Sequence, residues 1–361
     1  MTKDHHYNLV KNLKPGKIVI PVIIGLLITG WFIYSEINTD VMNRLAFTWK
    51  AVFWLFIAWL CMAGRDLGYI IRIRILTGKE ISWKQAFRII MLWEFTSSIT
   101  PSTVGGTALA VVFLHKEGVN IGKSTSVVLA TSFLDELYFV LMLPVLLLFT
   151  GSEGLFITSL QGTGLSFLNQ LMLFTAIGYG LILLWVILVG YGLFVNPEAI
   201  KKLITGFFSL PLVNRWHDSA LKAGNDIVDS SHELSRKGRG FWIKAFTATF
   251  LSWTSRYWVV NAILVAFFSV GDHLLIFARQ LATWIMMIIS PSPGGSGFAE
   301  LILSRYISDL IPAEAAIAGG LALAVAIIWR IISYYPYLLI GAFIVPGWIG
   351  RNFISRDKQK K

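Results

Sequence analysis

The chain has 361 residues, 55% of them hydrophobic and 14% charged, with a mean hydropathy of +0.67, a balance that excludes an ordinary water-soluble globular domain. Its 31 Lys+Arg against 20 Asp+Glu give a net charge of +11, but the excess is scattered over short loops, which argues against a nucleic-acid partner and fits the positive-inside bias of a plasma-membrane protein. Cys61 is the single cysteine, so an intramolecular disulfide and a thiolate metal cluster are excluded.

Apolar runs near the roughly 20 residues that cross about 30 Å of hydrocarbon recur along the chain. Runs such as LMLPVLLLF are apolar on every face, unlike the alternating strands of an outer-membrane barrel. The expected fold is therefore an all-α polytopic membrane protein. Lys3, Lys11, Lys14 and Lys17 against Asp4 place the N-terminal stretch in the cytoplasm. The first run, Ile18 to Tyr34, lacks a small-residue cleavage site and reads as a retained, outward span. A second span starts at Phe47 and returns to Arg72, Arg74 and Lys79. Next come two pieces too short to cross alone, Phe87 to Ser98 and Thr107 to Leu114, broken by TPSTVGG. With Lys84 and Arg88 on one flank and Lys116 and Lys123 on the other, they read as a re-entrant hairpin entering from the cytoplasm.

Ser124 to Phe149 then runs outward and Phe167 to Phe194 inward, and residues 195–240 form a cytoplasmic loop of amphipathic helices. Phe241 to Val270 goes out again. A second broken element follows, Leu274 to Ile289, the turn SPSPGGSG and Phe298 to Leu303. Its flanks, Arg279 and Arg305 against Asp272, Asp309 and Glu314, sum to −1, so it enters from outside. The last run, Ala315 to Trp348, is about 51 Å long as a helix and is expected to bend at Pro336. The tail, with Arg351, Arg356, Lys358, Lys360 and Lys361 against Asp357, lies inside. The sum is about six full spans plus two re-entrant broken-helix hairpins in one transmembrane domain, with both termini cytoplasmic.

The segments Thr100 to Thr107 and Ser290 to Gly297 share a hydroxyl residue, Pro, Ser, a Gly-Gly pair and a further hydroxyl. Because the two hairpins enter from opposite sides, the pattern is that of an inverted repeat, with halves near 18–194 and 241–348. The alternative is that Gly and Pro only punctuate two helix connections. As a repeat, Gly105, Gly106, Gly294 and Gly295 permit positive φ and leave N–H groups unpaired at a half-helix start. Those N–H groups, with Thr100, Ser102, Thr107, Ser290, Ser292 and Ser296, favour an anion such as a lipid phosphate.

Arg65, Asp66, Glu94, Asp135, Glu136, Arg256, Glu300 and Arg330 fall within apolar segments. At roughly 3 kcal/mol each against lipid, they must face inward or pair. For any one of them the alternative is packing glue, an arginine simply neutralising Asp135, Glu136 or Glu300. Taken together they suggest a polar cavity, with Arg256 and Arg330 as phosphate binders. Asp135, Glu136 and Glu300 are then candidates for proton coupling or for holding the arginines.

Enzymatic motifs are not found. GVNIGKS at Gly118 to Ser124 has one residue too few for a P-loop and no preceding strand. The six histidines have no metal-ligand spacing, and neither HExxH nor GxSxG occurs. No cofactor, metal or catalytic residue is expected.

The run RIRILTGKEISWKQAFRIIMLWEFTSSITPSTVGG, the loop HKEGVNIGKSTSVVLATSFLDEL, then SPSPGGSGFAE and IIWRIISYYPYLLIGAF, together resemble the flippase-like transmembrane domain of bacterial lysylphosphatidylglycerol synthases and its stand-alone relatives. Both hairpins, Asp135, Glu136, Glu300 and Arg330 carry the resemblance, which spans nearly the whole chain. Many members have an Asp-Arg pair where this chain has Asp135 and Glu136. The resemblance implies movement of lipids or lipid-linked groups between leaflets of a bacterial inner membrane. Full-length synthases also carry an aminoacyl-transferase domain, which this sequence does not show, so lysyl transfer by this chain alone is not expected. The partners implied are an anionic phospholipid, an aminoacyl-lipid or a polyprenyl phosphate, with a homo-oligomer or a separate lipid-modifying enzyme as protein partner. Two other readings stand beside the flippase: an integral-membrane transferase or accessory subunit on a lipid-linked substrate, and a small-solute or ion transporter.

Overall fold

A computed structural model describes residues 39–100, 102–156, 164–209, 217–287, 294–295 and 297–349, with Leu27, Gly30, Trp31 and Tyr34 before them. No strand occurs among the described residues, in keeping with the all-α class. The expected first span lies mostly outside them, as do both termini.

A short α1 (Thr39–Arg44) precedes α2 (Trp49–Leu76). The Thr48 hydroxyl accepts the Ala51 N–H at 3.3 Å, supplying the N-cap. At 28 residues, α2 is about 42 Å long. Its long partner, α9 (Arg239–Phe267), runs antiparallel to it. Gly64 faces Ser255, Gly68 faces Ala248 and Ser252, and Phe47 ahead of α2 meets Phe267 at the end of α9. A Cβ at Gly68 would lie 2.8 Å from the Ala248 carbonyl. Small residues therefore bring the two backbones together where lipid supplies no hydrophobic drive.

Each of these helices is followed by a short connection and a helical hairpin. After α2 come α3 (Trp83–Ile99) and α4 (Ser102–Lys116). Ser82 and Gln85 close a capping box on α3. The two outer ends of this hairpin are joined: Arg88 pairs with Glu117 at 2.7 Å, and the Gln85 amide donates to the Glu117 carbonyl at 3.1 Å. After α9 come α10 (His273–Met287) and α11 (Phe298–Ile307). Here Arg279 ties the ends, pairing with Asp309 at 2.5 Å and donating to the Tyr306 carbonyl. Since α2 and α9 are antiparallel, the hairpin mouths lie at opposite ends of the bundle. These helices are longer at most ends than the apolar runs suggest.

The remaining helices close the bundle around the hairpins. α5 (Ile121–Phe156) contains Pro144 and breaks at Gly151. α6 (Gly164–Gly190) ends in a π-turn, Tyr191–Val195. Residues 195–240, expected as amphipathic helices, hold α7 (Pro197–Phe208) and α8 (His217–Ser235). α8 seats on the start of α5, where the Ser126 hydroxyl donates to the Ile227 carbonyl at 3.3 Å. α12 (Ala315–Ser333) and α13 (Tyr335–Ile349) break at Tyr334, φ −129 and ψ −57, two residues before the expected kink at Pro336.

Among the described residues four stretches are long and apolar enough to cross a membrane: Trp49–Leu76, Ile121–Phe156, Met172–Val195 and Ala316–Trp348. The outside of the bundle is apolar, with Trp49, Leu148 and Phe343 almost fully exposed, while Arg65, Arg279, Glu300 and Arg330 are buried. Charge inside and apolar side chains outside is the distribution expected when lipid is the solvent.

Candidate functional site

The two hairpin tips touch. The Gly294 N–H points to the Thr100 carbonyl at 3.5 Å, and the Tyr334 hydroxyl donates to the Ser98 carbonyl at 2.9 Å. Gly294 and Gly295 adopt φ of 57 and 70, the left-handed region that glycine tolerates. A Cβ at Gly294 would meet the Tyr334 ring and the Ser98 carbonyl. Gly105 and Gly106 are placed differently from the sequence expectation. They are helical residues of α4 rather than tip residues, and Gly106 packs directly on Ser97 of α3. Its small size therefore serves close packing of the hairpin arms. The Ser102 backbone is helical; Ser290, Ser292 and Ser296 lie outside the described residues.

Beside the tips is a cavity of about 210 Å³. Of the expected site residues, Arg65, Glu94, Thr100, Thr107, Asp135, Glu136, Gly294, Gly295, Arg256 and Arg330 line it. Asp66 and Glu300 stand behind its wall, each bonded to a lining arginine. The structure thus brings together residues spread over more than 260 positions of sequence.

Each arginine is placed by its own helix. Arg65, Tyr69 and Arg72 follow one face of α2 at i, i+4 and i+7. The Tyr69 ring lies between them, 4.6 Å from the Arg65 guanidinium and 4.7 Å from that of Arg72. Arg65 serves two carboxylates, Asp66 at 2.9 Å and Glu94 at 2.5 Å, and Tyr337 donates to both Asp66 oxygens. Arg72 forms a two-pronged pair with Asp135, Nη2 to Oδ2 at 3.0 Å, and also donates to Thr249. Arg330 gives Nε to Glu300 at 2.9 Å and Nη2 to the Gly294 carbonyl at 2.9 Å.

Glu300 has a second task, accepting the Gly297 N–H at 2.8 Å at the start of α11. The half-helix N-terminus of the second hairpin therefore already holds an anion, its own Glu300. The packing-glue alternative describes Arg65 and Arg330, which are neutralised by neighbouring carboxylates.

Arg256 is different. Among the described residues it forms no ion pair with a carboxylate; its guanidinium sits against Trp284 at 4.5 Å and Trp253 at 5.5 Å. Arg65 is near enough to repel it and Glu94 to attract it. Trp253 also donates to Asp135 at 2.6 Å, so one indole joins the arginine to the acidic pair on α5. Glu136 likewise makes no ion pair among the described residues, and its Oε2 is buried with no hydrogen-bond partner.

Sequence reasoning missed Arg72, which looked like an ordinary charge at the cytoplasmic end of a span, and the aromatic residues Tyr69, Trp253 and Trp284. The helical spacing of Arg65, Tyr69 and Arg72 was the available signal. Arg279, read as a flanking charge, is buried and ties the mouth of the second hairpin.

The family model described as the lysylphosphatidylglycerol synthase TM region matches residues 18–341. A UPF0104 membrane protein of Archaeoglobus fulgidus is 27% identical over 345 residues, covering 91% of this chain and 95% of its own length. No solved structure gives a significant match. The family match spans both hairpins and the cavity they border, and this multi-pass membrane protein belongs to the lysylphosphatidylglycerol synthase transmembrane-region family.

Proposed function

We propose that this chain is a membrane lipid flippase, a transporter that carries a phosphate-bearing lipid or lipid-linked headgroup between leaflets. The observation that carries the reading is Arg256: a guanidinium in a bundle cavity, flanked by Trp253 and Trp284, with no carboxylate partner among the described residues. An unpaired charge in a low-dielectric site is expensive, and a phosphate oxygen pair is the natural complement of a guanidinium fork. Arg330, already engaged by Glu300 and Gly294, is the lesser candidate.

In this reading the hairpins are re-entrant and the two halves form an inverted repeat, supported by hairpin mouths at opposite ends and tips in contact near mid-bundle. About six spans hold them in a plasma membrane, with the Lys-rich termini in the cytoplasm. The headgroup crosses through the cavity while the acyl tails stay in lipid. No chemical transformation is assigned to the chain; the drive is a lipid gradient or ion coupling through the cavity carboxylates.

The test is leaflet exchange of labelled phospholipids and polyprenyl phosphate in proteoliposomes. Arg256→Ala, checked for monodispersity, is expected to slow exchange at least tenfold, and Arg256→Lys to retain part of it. If the wild-type protein exchanges no lipid with or without an ion gradient, the flippase reading fails. A transferase or accessory subunit acting on a lipid-linked substrate then takes its place.

A further inference from the structure

We infer that the headgroup taken by this cavity is zwitterionic, an aminophospholipid of the ethanolamine type, with its phosphate on Arg256 and its ammonium on Glu136. The inference rests on the flippase reading and names its substrate class.

The argument is a matching of charges around one cavity. Arg72 is matched by Asp135, and Arg330 by Glu300. Arg65 is more than matched, because Asp66 and Glu94 share it. Two charged side chains are left over among the described residues. Arg256 has no carboxylate partner and its guanidinium lies against two indole rings, and Glu136 has no ion pair and an unpartnered buried oxygen. Both line the cavity, yet they form no ion pair with each other, so a ligand can meet them separately.

Trp253 links Arg256 to α5. Its ring faces Arg256, and its Nε1–H donates to Asp135, the residue next to Glu136 on α5. Arg72 and Trp253 already engage both oxygens of Asp135, so of the two α5 carboxylates that line the cavity the one free to receive a cation is that of Glu136. Glu94, which shares its arginine, adds further negative potential on the same wall.

Such a wall selects by exclusion as well as by attraction. A purely anionic headgroup satisfies Arg256 but brings no cation to Glu136, which stays unpaired. A headgroup with phosphate and ammonium answers both orphans with charge-assisted hydrogen bonds. Discrimination of this kind comes mainly from the group left unpaired by the wrong ligand.

The test compares three tail-labelled lipids in proteoliposomes: phosphatidylethanolamine, its N-acetylated derivative, which keeps the phosphate but loses the ammonium, and phosphatidylglycerol. A parallel binding measurement follows tryptophan fluorescence with short-chain forms of the same lipids and with free phosphoethanolamine. The expected result is about tenfold preference for phosphatidylethanolamine over the N-acetylated lipid, in exchange and in binding. Glu136→Gln should abolish the preference and Glu136→Asp retain part of it. Equal exchange and binding of the two lipids by the wild type overturns the inference while leaving a lipid carrier standing. Preferential binding without exchange keeps the inference and removes the flippase reading. Free phosphoethanolamine binding as tightly as the short-chain lipid would transfer the site to a soluble zwitterion and overturn the lipid assignment.

Discussion

The buried pair of Arg330 and Glu300 gives the sharpest test of how the second hairpin is held. Nε and Oε1 are 2.9 Å apart, and the side chains are 5% and 2% exposed. Glu300→Ala strands a buried guanidinium, a loss of about 3–5 kcal/mol, and removes the cap on the Gly297 N–H, about 1 kcal/mol more. Arg330→Met strands the carboxylate and deprives the Gly294 carbonyl of its donor, about 1–3 kcal/mol beyond the broken pair. The double variant Glu300→Ala/Arg330→Met removes both charges, so it should cost less than the sum of the singles by about 3 kcal/mol or more. Reversible unfolding in mixed detergent micelles, followed as a double-mutant cycle, measures that coupling. Additivity within about 0.5 kcal/mol would refute the argument, because independent sites behave that way.

Other expectations follow from the same geometry. In a Cys61→Ala background, Lys84→Cys and Arg305→Cys, both exposed at opposite hairpin mouths, should react with an impermeant thiol reagent from opposite sides of the membrane; labelling from one side only would sink the inverted repeat. Gly341→Ala places a methyl group on the Phe95 ring and should destabilise by about 1–3 kcal/mol. Gly180→Ala, which meets nothing within 4 Å, should be neutral or stabilise by up to about 1 kcal/mol. Both are read by the same unfolding assay. On the surface helix α8, hydrogen bonding from Lys237, with Lys123 nearby, holds the Glu233 carboxyl below its ordinary range. A lowered folded value means the stabilisation is present above the unfolded pKa of about 4.3 and disappears as pH falls through the folded value. The pair is largely exposed, so Glu233→Gln should cost only a few tenths of a kcal/mol at pH 7, with the difference in melting vanishing once the pH has fallen through the folded value.

Membrane proteins expose much of their fold in the sequence, because lipid tolerates few backbone arrangements. The run LMLPVLLLF lies within α5, and the apolar stretch from Phe241 is the long α9. The helix breaks between α3 and α4 and between α10 and α11 fall within the two Pro/Gly interruptions, although Gly105 and Gly106 lie inside α4. Helix ends were less legible: α3 begins at Trp83 rather than Phe87, since its start is set by the Ser82–Gln85 capping box and not by hydropathy. The role of Gly106 was hidden too, because the same residue type serves a left-handed turn or a close helix crossing, and only the position of Ser97 distinguishes them.

The sequence by itself determined the helical class, the solvent, the two broken elements and the set of charges that could not face lipid. Each follows from local composition, which a bilayer reads one segment at a time. Pairing was decided only by tertiary structure. Arg72 meets Asp135 and Arg330 meets Glu300, while Arg256 and Glu136 keep no ionic partner among the described residues. Which charge is neutralised depends on distances between helices far apart in the chain, and those distances are fixed by packing at contacts such as Gly68 on Ser252.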